Sequence, residues 1–209
     1  IMFSSVYGVS AGACNMCSYL SKQKGRARDI NIDYLDNKSY CSIRSLLTTG
    51  DLFNVDMCYH LIPDYLHPFD DAAYAAYEGK AYSVATDIVT GRPEYFRIRD
   101  MREDIDKIRA SASLPLVSRN VKIDGKYYLD GGLSDSIPLQ KSVLDGNRKN
   151  IVVMTKETGY IRKPSTQIGL IKLRYLKYPK VTELMTERHI NYNEQLAYIE
   201  RQQANGQAF

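Results

Sequence analysis

The sequence predicts an α/β fold of three layers, with helices on both faces of a largely parallel central sheet. Strand-like and helix-like stretches alternate along the 209 residues, the pattern of layered α/β domains. Residues 150–155, Asn-Ile-Val-Val-Met-Thr, form an unbroken β-branched run of the kind that fills a buried parallel strand. The first strand passes into the first helix through a tight turn of small residues, Gly8-Val9-Ser10-Ala11-Gly12.

Residues 1–7 are β-branched and aromatic and predict the first buried strand. Residues 11–24 lack proline and run into Gly25, which predicts a helix with a glycine stop. Residues 26–36 are polar and charged and read as a loop or short extended piece. Residues 40–66 mix short apolar runs with Gly50, Asn54 and Pro63, which predicts short helices and turns. Asp70 is placed to cap a short helix that Gly79 stops. Residues 80–86 and 94–98 alternate around Thr90-Gly91-Arg92-Pro93, a hairpin. Residues 100–112 put Met101, Ile105 and Ile108 on one helical face. Asp124-Gly125 is a type I′ hairpin signal, and the strand after it delivers Asp130 at its end. A short helix over 138–144, the strand over 150–155, a helix near 167–176 and a long helix over 180–204 complete the chain.

The Gly8-x-Ser10-x-Gly12 turn has the form of a nucleophile elbow. Gly8 and Gly12 are small so that strand and helix can approach, and the serine oxygen then stands at a helix N-terminus, where negative charge is favoured. Asp130 followed by Gly131 and Gly132 is site-like in a different way. It is a carboxylate at a strand end beside glycines that let other backbone come close. An aspartate in an ordinary Asp-Gly turn has the same local sequence.

Composition narrows the partners. The apolar fraction of 44% and charged fraction of 25% are those of a soluble globular domain. No apolar run approaches the ~20 residues that span a bilayer. The net charge of +4 is too mild to imply nucleic acid. Basic residues gather from Arg148 to Lys180, interleaved with Leu170, Ile171, Leu173, Tyr175 and Leu176. That stretch is either a solvated helix face with a core stripe or a peripheral contact with an anionic membrane. Cys14-x-x-Cys17 falls on a helix without a second cysteine pair, so Cys14, Cys17, Cys41 and Cys58 read as free thiols of a reducing compartment. His60 and His67 have no metal-like spacing and read as ordinary histidines. No metal and no cofactor is expected.

The two glycine-flanked signals, taken together, resemble the patatin-like phospholipase family. The likeness extends to Ala85-Thr86-Asp87 with Thr90-Gly91, to Ala110-Ser111-Ala112-Ser113-x-Pro115, and to Asp124-Gly125-x-x-Tyr128-x-Asp130-Gly131-Gly132-x-x-Asp135-x-x-Pro138. These occur in family order over most of residues 1–155, and Arg188-x-x-x-Tyr192-Asn193 looks like bacterial members. The resemblance implies a single patatin-like domain over 1–209 acting on lipid or phospholipid esters. It implies Ser10 as nucleophile and Asp130 as base, a dyad in place of a triad, in a cytoplasmic or membrane-associated protein. One part of the family pattern is missing from the chain. The glycine-rich segment that supplies most of the oxyanion hole does not occur, which leaves the Ala11 N–H as the one donor the sequence identifies. A domain trimmed at both ends is therefore expected.

Two other readings compete. A Ser-His-Asp triad needs a late histidine on a loop, and His189 is the one late histidine, within a predicted helix. A binding protein without catalysis would keep the fold but has no need of both Ser10 and Asp130.

Overall fold

The computed structural model describes residues 3–209. Strand β1 (Ser5–Val9) leads directly into α1 (Ala11–Leu20). The predicted strand residues Ile1 and Met2 lie outside the described residues. Gly25 does not stop α1. The helix ends at Ser21, and Gly25, in the left-handed region at φ 89°, opens α2 (Arg26–Tyr34). This replaces the loop expected over 26–36. None of the nine residues of α2 is buried, so no apolar stripe marked the helix in advance. The next segments are α3 (Ile43–Thr49), capped by the Ser42 side chain, and a wide π-helical stretch, Met57–Leu66, which accommodates Pro63. Asp70 caps α4 (Asp71–Ala75) through the Ala73 N–H, as its position predicts.

Strand β2 (Lys80–Asp87) is the axis of the sheet. Along one edge it pairs antiparallel with β3 (Pro93–Ile98), the predicted hairpin. Helix α5 (Ile105–Ser111) follows. Strands β4 (Val121–Ile123) and β5 (Lys126–Asp130) meet at Asp124-Gly125, where both φ angles are positive, 48° and 81°, as a type I′ turn requires. Two strands share the other edge of β2. Strand β1 runs parallel to it from Lys80 to Val84, and β5 runs antiparallel to it from Asp87 to Ala85. The C-terminal ends of β1 and β5 therefore meet head to head beside Val84 and Ala85. The α/β layering is as predicted, but the sheet is mixed: β1 with β2 is its parallel pair, and the other pairings are antiparallel.

Helices α6 (Leu139–Leu144), α7 (Ile168–Arg174) and α8 (Pro179–Ala204) close the chain. The strand expected over 150–155 is not there. Asn150 makes a single parallel bridge to Ala208, while Ile151 and Val153 are 56% and 87% exposed. An apolar run specifies burial but not a partner: this segment bonds to residues 207–209, through the Asn150, Val152 and Phe209 N–H groups, and joins no strand of the sheet. Two cores flank the sheet. Ala13, Met16, Cys17 and Leu20 of α1 pack with Ala81, Ile98 and Ile108 on one face. Leu129 and Leu133 pack with Ile171, Tyr175, Val181 and Met185 of the α7–α8 region on the other. The four cysteines are free thiols, and burial pushes Cys14 up to about 11, far from a reactive thiolate.

Candidate active site

Ser10 occupies the one residue between β1 and α1, and its backbone is forced into an unusual conformation, φ 56° and ψ −127°. For a non-glycine residue this costs roughly 1–3 kcal/mol, so the surroundings must hold it. Gly8 permits the turn, because a Cβ there would lie 2.5 Å from Ala13 Cα. Gly12 does not share that duty, contrary to expectation: a Cβ on it would meet open space. The Ser10 N–H donates to Ser111 Oγ at 2.9 Å, which ties the strained residue to the end of α5.

Ser10 Oγ donates to Asp130 Oδ2 at 2.6 Å across 120 residues of sequence. Asp130 is fully buried and held on every side. Its Oδ1 accepts from the Gly132 N–H at 2.7 Å, its own N–H donates to the Ser113 carbonyl at 2.8 Å, and its carbonyl accepts from Thr86 Oγ1 at 2.8 Å. Gly131 is obligatory here. A Cβ at this position would sit 2.1 Å from the Val84 carbonyl oxygen. Gly132 is enclosed too, since a Cβ on it would lie 3.0 Å from Asp130 Oδ1 and 3.1 Å from an Arg188 Nη. Burial pushes the Asp130 carboxyl above the usual carboxylate range, outweighing the opposing hydrogen bonds from Ser10 and Gly132 and the positive charge of Arg188 and Arg162. A carboxylate raised in this way is better matched to accepting a hydroxyl proton.

The Ala11 N–H is at the first helical position of α1, where the helix itself supplies no acceptor. It belongs to an exposed residue directly after Ser10. The arrangement can move a proton from a hydroxyl to a buried carboxylate while a helix N-terminus supports the developing negative charge.

The structure brings Ser10, Asp130, Gly131 and Gly132 together, and leaves the histidines elsewhere. His67 pairs with Asp33, and His189 lies within α8 without a bond to Ser10 or Asp130, which removes the basis for a histidine triad. Among the described residues no group of three or more His, Cys, Asp or Glu side chains is arranged to hold a metal ion. Four further residues escaped a role in the sequence reading. Ser111, Ser113 and Thr86 lie inside the quoted motifs, yet only the fold shows that they grip the backbone of Ser10 and Asp130. Arg188 carried a clearer signal. It falls in register with the core-facing Val181, Met185 and Tyr192 of α8, so a charged side chain was due to point inward.

The family model described as patatin-like phospholipase matches residues 1–141, which span Ser10 and Asp130. An Escherichia coli K12 protein, the uncharacterized protein YjjU, is 30% identical over 156 residues. The match covers 73% of this chain and 43% of that relative, so the chain spans less than half of the relative's length.

Proposed function

The chain belongs to the patatin-like phospholipase family, and from that premise we propose that it is a serine acyl hydrolase cleaving carboxylic esters of lipids through a Ser10–Asp130 dyad. The observation that carries this reading is the 2.6 Å hydrogen bond from Ser10 Oγ to a fully buried carboxylate. Ser10 Oγ attacks the ester carbonyl as its proton passes to Asp130 Oδ2. The Ala11 N–H and the N-terminus of α1 stabilise the tetrahedral oxyanion. Collapse breaks the ester C–O bond, and Asp130 returns the proton to the leaving alkoxide. Water then attacks the acyl-serine as its proton passes to Asp130; collapse breaks the acyl–Oγ bond, the proton returns to Ser10 Oγ, and the fatty acid is released.

A peripheral contact with membrane belongs to the same reading. On and just after α7, Ile171 and Tyr175 are buried while Leu170, Leu173 and Leu176 are 61–70% exposed among Lys172, Arg174 and Lys177. Apolar side chains flanked by cations suit an anionic lipid surface. No helix among the described residues is long and apolar enough to cross a membrane.

A fluorophosphonate probe followed by mass mapping tests the proposal on the full protein. Ser10 is expected to carry the label, and Ser10→Ala to abolish both labelling and ester hydrolysis. A folded protein that remains unlabelled, or that hydrolyses esters without Ser10, overturns it.

A further inference from the structure

The base of the dyad is only as well aimed as the turn that follows it. The Gly132 N–H holds Asp130 Oδ1 at 2.7 Å, so whatever fixes residues 131–137 fixes the direction in which Oδ2 points. That segment is gripped from α8 at two places. Arg188 Nε donates to the Gly132 carbonyl at 2.9 Å, an acceptor it shares with Ser136 Oγ at 2.8 Å. Two helical turns on, Gln195 lies on the same side of α8 and uses both ends of its amide. Its Oε1 accepts from the Ile137 N–H at 3.0 Å, and its Nε2 donates to Asp135 Oδ1 at 2.8 Å.

Asp135 is a buried acid to which the chemistry above gives no part. Its N–H donates to the Gly131 carbonyl at 2.9 Å, within the turn itself. Its Oδ2 accepts from the Tyr95 hydroxyl at 2.6 Å. Tyr95 stands on β3 opposite Val84, the residue whose carbonyl oxygen leaves Gly131 no room for a side chain. One carboxyl group therefore ties the turn to β3 through one oxygen and to α8 through the other. Both partners are neutral. Lys141, which lies 5.3 Å from the centre of the Tyr95 ring, pairs instead with Asp145. An acid buried between neutral groups is costly, and burial raises the Asp135 carboxyl above its ordinary range. What it supplies there is two oxygens that accept from opposite directions at once.

We propose that Asp135 is a positioning residue of the dyad: with Tyr95 on β3 and Gln195 on α8 it locks the turn over 131–137, so that Gly132 keeps Asp130 Oδ2 on the serine. The effect on turnover rests on the hydrolase reading, while the lock itself does not. Asp135 acts on Asp130 through the backbone between them, so its loss disturbs the proton transfer and leaves substrate binding alone.

The test reverses the polarity of the bond between Asp135 and Gln195. Gln195→Glu sets a second carboxylate against Asp135 and is expected to push the turn open. Adding Asp135→Asn again sets a donor against an acceptor, while the Tyr95 hydroxyl and the Ile137 N–H keep theirs. Two readouts are taken on each protein: hydrolysis of a p-nitrophenyl ester, resolved into kcat and KM, and hydrogen exchange of the Gly132 amide, which needs no turnover. Gln195→Glu is expected to lower kcat by roughly 10- to 100-fold with KM little changed, and to speed Gly132 exchange. The double variant is expected to recover both. Tyr95→Phe deletes one hydroxyl from a half-buried ring; it is expected to show the same pattern more weakly, and it decides the matter if Gln195→Glu does not fold. An unchanged kcat, a kcat that falls while Gly132 exchange stays slow, or faster exchange that leaves kcat intact each overturns the inference. So does a double variant no better than Gln195→Glu. Hydrolysis absent already from the unaltered protein strikes the hydrolase reading instead, and Gly132 exchange then decides on the lock alone.

Discussion

The two turns that face each other across the site are built on opposite plans. The Ser10 turn is strained in its own backbone and supported by few partners: Gly8 packed on Ala13, and one bond to Ser111. The Asp130 turn has ordinary torsions, φ −46° and ψ 131°, and is enclosed by Thr86, Ser113, Gly131, Gly132 and the nearby Arg188. Strain holds the serine half-buried at the head of α1. Enclosure strips water from the aspartate, which raises its basicity. The two members of the pair thus differ in burial, Ser10 half-buried and Asp130 fully buried.

The sharpest way to break this contrast is Asp130→Asn. Hydrolysis is expected to fall about 10⁴-fold, the size of loss when an acceptor carboxylate becomes an amide in a hydrolase. The same variant is expected to melt higher than the parent at neutral pH. The sign follows from the raised carboxyl: a buried acid whose folded pKa lies above its unfolded one stabilises the fold at pH below ~4 and loses that stabilisation as pH rises through the folded value. The gain in melting temperature should vanish in acid. Equal melting at both pH values would mean that Asp130 is not penalised by burial. The acid limb of kcat/KM in the parent should correspondingly lie above the usual carboxylate range.

Stability separates the glycines next. Gly131→Ala and Gly8→Ala force a Cβ to 2.1 Å and 2.5 Å from backbone atoms, and each is expected to cost at least about 3 kcal/mol by denaturant titration. Thr86→Val removes the hydroxyl bond to the Asp130 carbonyl and to Ser134, both at 2.8 Å. It is expected to cost about 1 kcal/mol and to lower kcat roughly tenfold, through misplacement of Asp130. The smallest effect belongs to Gly12→Ala, which enters open space on a helix and is expected to stabilise by up to about 1 kcal/mol. A large loss there would restore to Gly12 the packing role that the motif assigns and the structure denies.

Much of this was legible in the chain because it is short-range. A strand, a small-residue turn and a helix in succession disclose the elbow, and Asp124-Gly125 discloses its hairpin, since each depends on residues within a few positions of one another. Where the reading failed, the missing information was a partner. Residues 150–155 had the composition of a strand but bond to residues 207–209 and join no strand of the sheet, and α2 had no apolar stripe to advertise it. The sequence by itself determined the local conformations and the residue types able to do the chemistry. That Ser10 and Asp130 meet, that the sheet is mixed, and that Ser111, Thr86 and Arg188 serve the site were decided by tertiary structure alone. The reason is geometric. Strands β1 and β5 approach one edge of β2 from opposite directions and end at adjacent positions, Val84 and Ala85, and only this pairing turns two distant glycine-flanked motifs into one site.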